Sequence, residues 1–189
     1  MIDTLVQCDK DLFLFLNGMG TETWDAFWLF ITNKLSSIPL YALLLFLSYR
    51  YLGMKRTLIT LVFVGLLITA TDQLANFFKY GVARLRPCHD VEINTVMRLV
   101  KSSCGGKFGY FSAHAANSMA LATFFTVLLK QKLGKIGLLL FIWALLVGYS
   151  RVYIGVHFPL DVITGMVIGI LFGWLFSKLS IFAFQKMGT

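Results

Sequence analysis

The chain has 189 residues, of which 58% are hydrophobic and only 14% charged, whereas a soluble domain carries about a quarter. Together with a mean hydropathy of +0.76, this argues against a soluble protein and predicts an integral membrane one. The net charge of +8 does not point to nucleic acid. The bases fall in short loops between apolar runs, as membrane topology and anionic lipid would select, and form no stripe interleaved with aromatics.

Residues 1–16 carry acids rather than a basic leader, with no long apolar core directly behind them, so no cleavable signal is predicted. "LVQCDKDLFLFLN" reads as an amphipathic helix lying in the membrane interface; a sixth, tilted or partial span is the alternative. A spanning helix needs about 20 mostly apolar residues. Five stretches qualify, at about 26–49, 57–79, 112–130, 136–155 and 158–184. The predicted fold is therefore an all-α integral membrane bundle of five transmembrane helices plus the interfacial helix. It forms a single domain over 1–189, with no repeat or linker to divide it.

The connections sort onto two sides. One side holds Arg50, Lys55, Arg56, Lys130, Lys132, Lys135, Lys178 and Lys186, with no acid among them. The other holds the N-terminal segment, the long connection at 80–111 and the turn near 150–158. It too has cations, but Lys79, Arg86 and Arg151 are accounted for by chemistry, so the first side is expected to be cytoplasmic. Cys88 and Cys104 share the long connection, which would then face an oxidising compartment. They read either as two unrelated thiols or as a disulfide, whose loop closure would stabilise the fold by roughly 3 kcal/mol in the chain-entropy model. The three cysteines lack zinc-ligand spacing, and no metal is predicted.

Every unusual polar group near a span end falls on the second side. The second span ends in "KYGVARLRP" (Lys79, Arg84, Arg86), the third begins at "FSAH" (Ser112, His114), the fourth ends at Ser150 and Arg151, and the fifth begins near His157 and Asp161. Ionisable residues at membrane depth are costly and mark function. Lys79, Arg86 and Arg151 have little local acid to pair them, and guanidinium forks match phosphate oxygens. With Ser112 and a helix N-terminus beside them, they predict a site for a phosphate-like anion. His157 and Asp161 are four apart and would share a helical face. The carboxylate would fix the imidazole tautomer for attack, and His114 would protonate the leaving oxygen. Arg84 reads equally as a contact to substrate or headgroup and as a supporting residue, and Asn117 as an interhelical bond or support for His114. Asp72 is expected to bond another helix, Lys34 to mark where the first span enters the membrane, and His89 to be a loop histidine.

These motifs resemble the PAP2 superfamily of membrane lipid phosphatases, whose pattern is K-x6-R-P, P-S-G-H and S-R-x5-H-x3-D. "KYGVARLRP" and "SRVYIGVHFPLD" match in full; "FSAH" departs, with Phe111 for proline and Ala113 for glycine. The resemblance implies a phosphatase that uses neither metal nor cofactor. His157 would be the nucleophile forming a phosphohistidine, Asp161 its orienter and His114 the general acid and then base. Lys79, Arg86, Ser112, the Ala113 N–H and Arg151 would hold the phosphoryl group, with Ser150, Asn117 and Arg84 as supporting residues. The implied partner is a membrane lipid: undecaprenyl diphosphate, preferred by analogy, or phosphatidylglycerol phosphate, phosphatidate or lipid A. The implied setting is the extracytoplasmic face of a cell membrane. A phosphotransferase on the same site and a non-catalytic phospholipid-binding or transport protein are the alternatives.

Overall fold

A computed structural model describes residues 2–188. The helices are α1 (Ile2–Gly18), α2 (Glu22–Thr32), α3 (Ile38–Val82), α4 (Ala113–Leu128), α5 (Lys130–Leu133), α6 (Gly137–Tyr153) and α7 (Pro159–Lys186), and no strand forms among the described residues. The burial pattern is that of a protein surrounded by lipid. Large apolar side chains such as Phe46, Val62, Leu139, Val167 and Leu171 point outward. Ser48, Thr60, Thr71, Ser177 and Ser180 are buried. Four of these five hydroxyls donate to carbonyls of their own helix, which satisfies them where water is absent.

The first two predicted spans differ from expectation in their joints. The stretch at 26–49 is not one helix. It breaks at Asn33, whose backbone is extended (φ −75°, ψ 127°), passes through a 3-10 turn over Lys34–Ser37, and resumes as α3. Pro39 is the cause: it has no N–H to donate, and its ring excludes a helical carbonyl four residues earlier. Asn33 caps the turn by accepting from Leu35 N–H at 3.0 Å. α3 then runs 45 residues across a non-helical joint at Gly53 (φ 79°, ψ 170°), a left-handed conformation open to glycine. Folding there lets Leu44 and Leu67 share one apolar cluster with Leu121, Phe125 and Leu140.

α4 is the central helix, packed chiefly on α7 and then on α6. Glycines make the α4–α7 approach close. A Cβ on Gly165, Gly169 or Gly173 would lie 2.6, 2.4 and 2.4 Å from the carbonyl oxygens of Ser112, Ala116 and Ala120. By length and composition, two helical stretches can cross a membrane, Lys34–Val82 and Pro159–Lys186; Ala113–Leu128 and Gly137–Tyr153 are shorter apolar helices.

α1 differs from a free amphipathic helix. Its buried side is Asp9, Phe13 and Asn17, while Leu5, Leu12 and Phe15 are exposed. Asn17 ties it to the end of α6, donating to the carbonyls of Val152 and Tyr153 and accepting from Arg98 N–H. Lys10 pairs with Asp90 and Glu92 of the long connection.

Candidate active site

Four helix ends and one loop meet around a cavity of about 670 Å³. The C-terminal end of α3 brings Lys79, the connection brings Arg86, the first turn of α4 brings Ala113 and His114, the last turn of α6 brings Arg151, and the turn before α7 brings His157. Residues 78 positions apart in sequence thus face one space, because α4, α6 and α7 present their site-bearing ends at one level.

Arg86 is held by backbone. Leu85 pairs with Phe108 in an isolated antiparallel bridge. The Arg86 guanidinium donates from Nε to Phe108 O at 3.2 Å and from Nη1 to Cys104 O at 2.8 Å. Cys88 and Cys104 are paired as a disulfide with Cα atoms 6.3 Å apart, so the strip against which Arg86 leans is tied just beyond it. Exposed His89 lies beside the two sulfurs; their bond to each other leaves no thiolate there for a metal. Arg151 is 5% exposed; its Nη1 donates to Thr32 Oγ1, and its buried Nε has no partner among the described residues. A buried guanidinium with an unused donor keeps hydrogen-bonding capacity beyond what Thr32 takes.

The His157–Asp161 pair is arranged differently from the shared helical face read from the sequence. Pro159 starts α7, so His157 lies in the turn ahead of it and Asp161 in the first helical turn. Asp161 is fully buried; its Oδ2 accepts from Phe158 N–H at 3.0 Å and its Oδ1 from Arg84 Nη1 at 2.8 Å. His157 Nδ1 stands 3.6 Å from Oδ2 and has no hydrogen-bond partner among the described residues. That is beyond hydrogen-bond length, and a small tightening would make the bond. Burial first, then the charges of Arg151, Arg86 and Lys79, hold the imidazole well below the ordinary histidine pKa. It is neutral near pH 7, the state a nucleophile needs. Gly109 closes over the pair: a Cβ there would meet Arg86 Cγ at 2.9 Å, His157 Nδ1 at 3.5 Å and Asp161 Oδ2 at 3.6 Å.

The remaining predicted residues fall at varying distances from the cavity. Ser112 caps α4, its Oγ accepting from Ala115 N–H at 3.5 Å, while its own N–H donates to Asp161 O at 2.9 Å. Ser112 joins the two site-bearing helices but does not line the cavity. Ser150 turns its hydroxyl back to Val147 O at 2.6 Å, so it does not support the site directly. Asn117 does not support His114 either. It donates to Asp72 at 2.8 Å and accepts from Thr71, an interhelical bond satisfied where hydrocarbon would leave it orphaned. Arg84 turns away from the cavity toward Asp161.

Several site residues were not legible as such. Thr32 and Lys34 reach the cavity only because the first span breaks between them; Pro39 was the available signal. Lys34 lies within electrostatic range of Lys79 and His114. Gly109 carried no periodic signal. Asp9 did: an acid spaced four residues from Phe13 and eight from Asn17 puts it on one face.

Comparison with known proteins gives a consistent picture. The family model described as the PAP2 superfamily matches residues 57–184. A Bacteroides thetaiotaomicron protein named Lipid A 4'-phosphatase is 36% identical over 178 residues, covering 93% of this chain and 78% of that one. A Sulfolobus acidocaldarius protein named Undecaprenyl-diphosphatase is 32% identical, covering 84% and 72%. The crystal structure of Aquifex aeolicus LpxE superposes with a TM-score of 0.66 at 27% identity, over 89% of this chain and 93% of that one.

Proposed function

This chain belongs to the PAP2 superfamily and is a phosphatase, and we propose that it removes phosphate from a lipid A-type phosphomonoester through a phosphohistidine at His157. The observation that carries the reading is the meeting of Lys79, Arg86 and Arg151 with His114 and His157 on one cavity, in a protein whose outer surface is apolar.

His157 Nε2 attacks phosphorus while the P–O bond to the lipid breaks. Nδ1–H turns to Asp161, whose charge stabilises the imidazolium as the N–P bond forms. Lys79, Arg86, Arg151 and the N–H groups opening α4 hold the equatorial oxygens, where charge concentrates in a loose transition state. His114 gives its proton to the leaving oxygen, then takes one from the water that cleaves the phosphohistidine, returning both histidines to their starting states. No residue in these steps requires a metal or cofactor.

Two observations favour a lipid A-type substrate over undecaprenyl diphosphate. The 36% relative bears the lipid A name. A second relative, from Porphyromonas gingivalis and 32% identical over 96% of this chain, bears the same name. Undecaprenyl diphosphate is the second reading, on the name of the 32% relative. The chain crosses the membrane five times, with the two halves of α3, then α4, α6 and α7. The cavity opens to the extracytoplasmic side, supported by the acid-free basic side opposite and by the Cys88–Cys104 pairing.

The test is phosphate release by purified protein in detergent with chelator present. The panel is lipid A, undecaprenyl diphosphate, phosphatidylglycerol phosphate and phosphatidate, with His157→Ala alongside. The expected result is chelator-insensitive turnover, highest on lipid A and lost in the variant. Release that survives loss of His157 would overturn the mechanism, and preference for undecaprenyl diphosphate would overturn the substrate.

A further inference from the structure

We propose that Asp9, on the N-terminal helix α1, is a positioning residue for the reaction, acting through Arg84 on the Asp161–His157 pair. The inference rests on the phosphatase reading above, in which Asp161 orients His157.

Arg84 is a bridge. Its Nη1 donates to Asp161 Oδ1 at 2.8 Å and its Nη2 to Asp9 Oδ2 at 2.5 Å, while the guanidinium lies over the Phe158 ring, 4.4 Å from its centroid. A guanidinium held by one carboxylate can swing about that contact. Held on two edges and one face, it has a single position, and so does the Asp161 oxygen it grips. The other Asp161 oxygen is the one facing His157 Nδ1 at 3.6 Å. The aim of that oxygen therefore depends on a residue that never meets the substrate.

Asp9 is held on both of its oxygens. It is 3% exposed and does not line the main cavity. Its Oδ1 accepts from Leu160 N–H at 2.9 Å, in the first turn of α7, where a helix N-terminus favours negative charge. Burying a carboxylate beside membrane is expensive unless it is fully partnered, and both of Asp9's partners lie directly beside Asp161. α1 is thus tied to the catalytic pair by a charged link, in addition to the contacts of Asn17 and Phe13. Seating α1 completes the site from behind.

The test is steady-state kinetics on lipid A in mixed micelles for the wild type, Asp9→Asn, Arg84→Gln and the double variant. Asp9→Asn keeps an acceptor for Leu160 N–H and removes the charge that holds Arg84. Its kcat is expected to fall about ten- to hundredfold, as a misplacement of about 1 Å does, with KM within about twofold because the phosphate-binding cations are untouched. Adding Asp9→Asn to Arg84→Gln is expected to cost nothing more. A structural role alone would lower the yield of active protein and give losses that multiply. Wild-type kcat in Asp9→Asn, or multiplying losses, would overturn the proposal. If Asp9→Asn is not recovered folded, Asp9→Glu gives the same reading: it keeps the charge but displaces the guanidinium, and an unchanged kcat overturns the proposal. A wild type that releases no phosphate, or a His157→Ala protein that does, would instead sink the phosphatase reading itself.

Discussion

Two histidines reach the same cavity, and their assigned roles separate them experimentally. His114 is assigned to protonate the leaving oxygen. His114→Ala is therefore expected to lose about 10²- to 10⁴-fold in kcat/KM on a lipid whose leaving group is an alkoxide. It should lose less than about tenfold on p-nitrophenyl phosphate, whose leaving group departs without a proton. Equal losses on both would assign His114 to binding. Much of this was readable from the residues. Lys79, Arg86, His114, Arg151 and His157 were all placed by motif spacing, and all line the cavity. The relation of His157 to Asp161 was not, because i,i+4 spacing implies a shared face only inside a helix, and Pro159 starts the helix between them. Asn117 makes the interhelical bond expected of it, whereas Ser150 turns to its own helix, because a hydroxyl near a site has the preceding turn as a competing partner.

At the scale of elements, the site depends on how closely α7 approaches α4. Ser112 N–H reaches Asp161 O across that contact at 2.9 Å. The Gly165, Gly169 and Gly173 positions have backbone, not flexible side chain, as their nearest neighbours. Gly169→Leu must push the helices apart, at a cost of about 1–3 kcal/mol or more for overpacking. The expected outcome is a lowered thermal midpoint in detergent, with kcat lost in the protein that remains folded. A variant with wild-type midpoint and turnover would show that the helices have room. The stretches 112–130, 136–155 and 158–184 were legible as helices because unbroken apolar runs mark them. The break at Asn33 and the seating of α1 were not, since hydropathy averages over a single proline and cannot see that a buried face is made of Asp9, Phe13 and Asn17.

The molecule as a whole is polar within and apolar without. Lys79, Arg86 and Arg151 line the cavity, Lys10, Arg84 and Arg98 pair with acids, and Arg50, Lys55, Arg56, Lys130, Lys132, Lys135, Lys178 and Lys186 fall in acid-free connections. The five-crossing topology proposed above would place the acid-free basic connections on one side of the membrane and the cavity on the other. What composition could not supply is the path along the cavity wall from Lys79 past Asp72 toward Thr57, which depends on the fold at Gly53. Everything proposed for this protein rests on one covalent event inside that space. The direct measurement is to mix membranes containing the protein with lipid A carrying radiolabelled phosphate, quench in alkali within the first turnovers, and locate the label. The account predicts an alkali-stable, acid-labile phosphoprotein with the label on His157, more abundant in His114→Ala wherever that variant slows the second step more than the first. Turnover with no label retained on the chain, or label on any other residue, would contradict it.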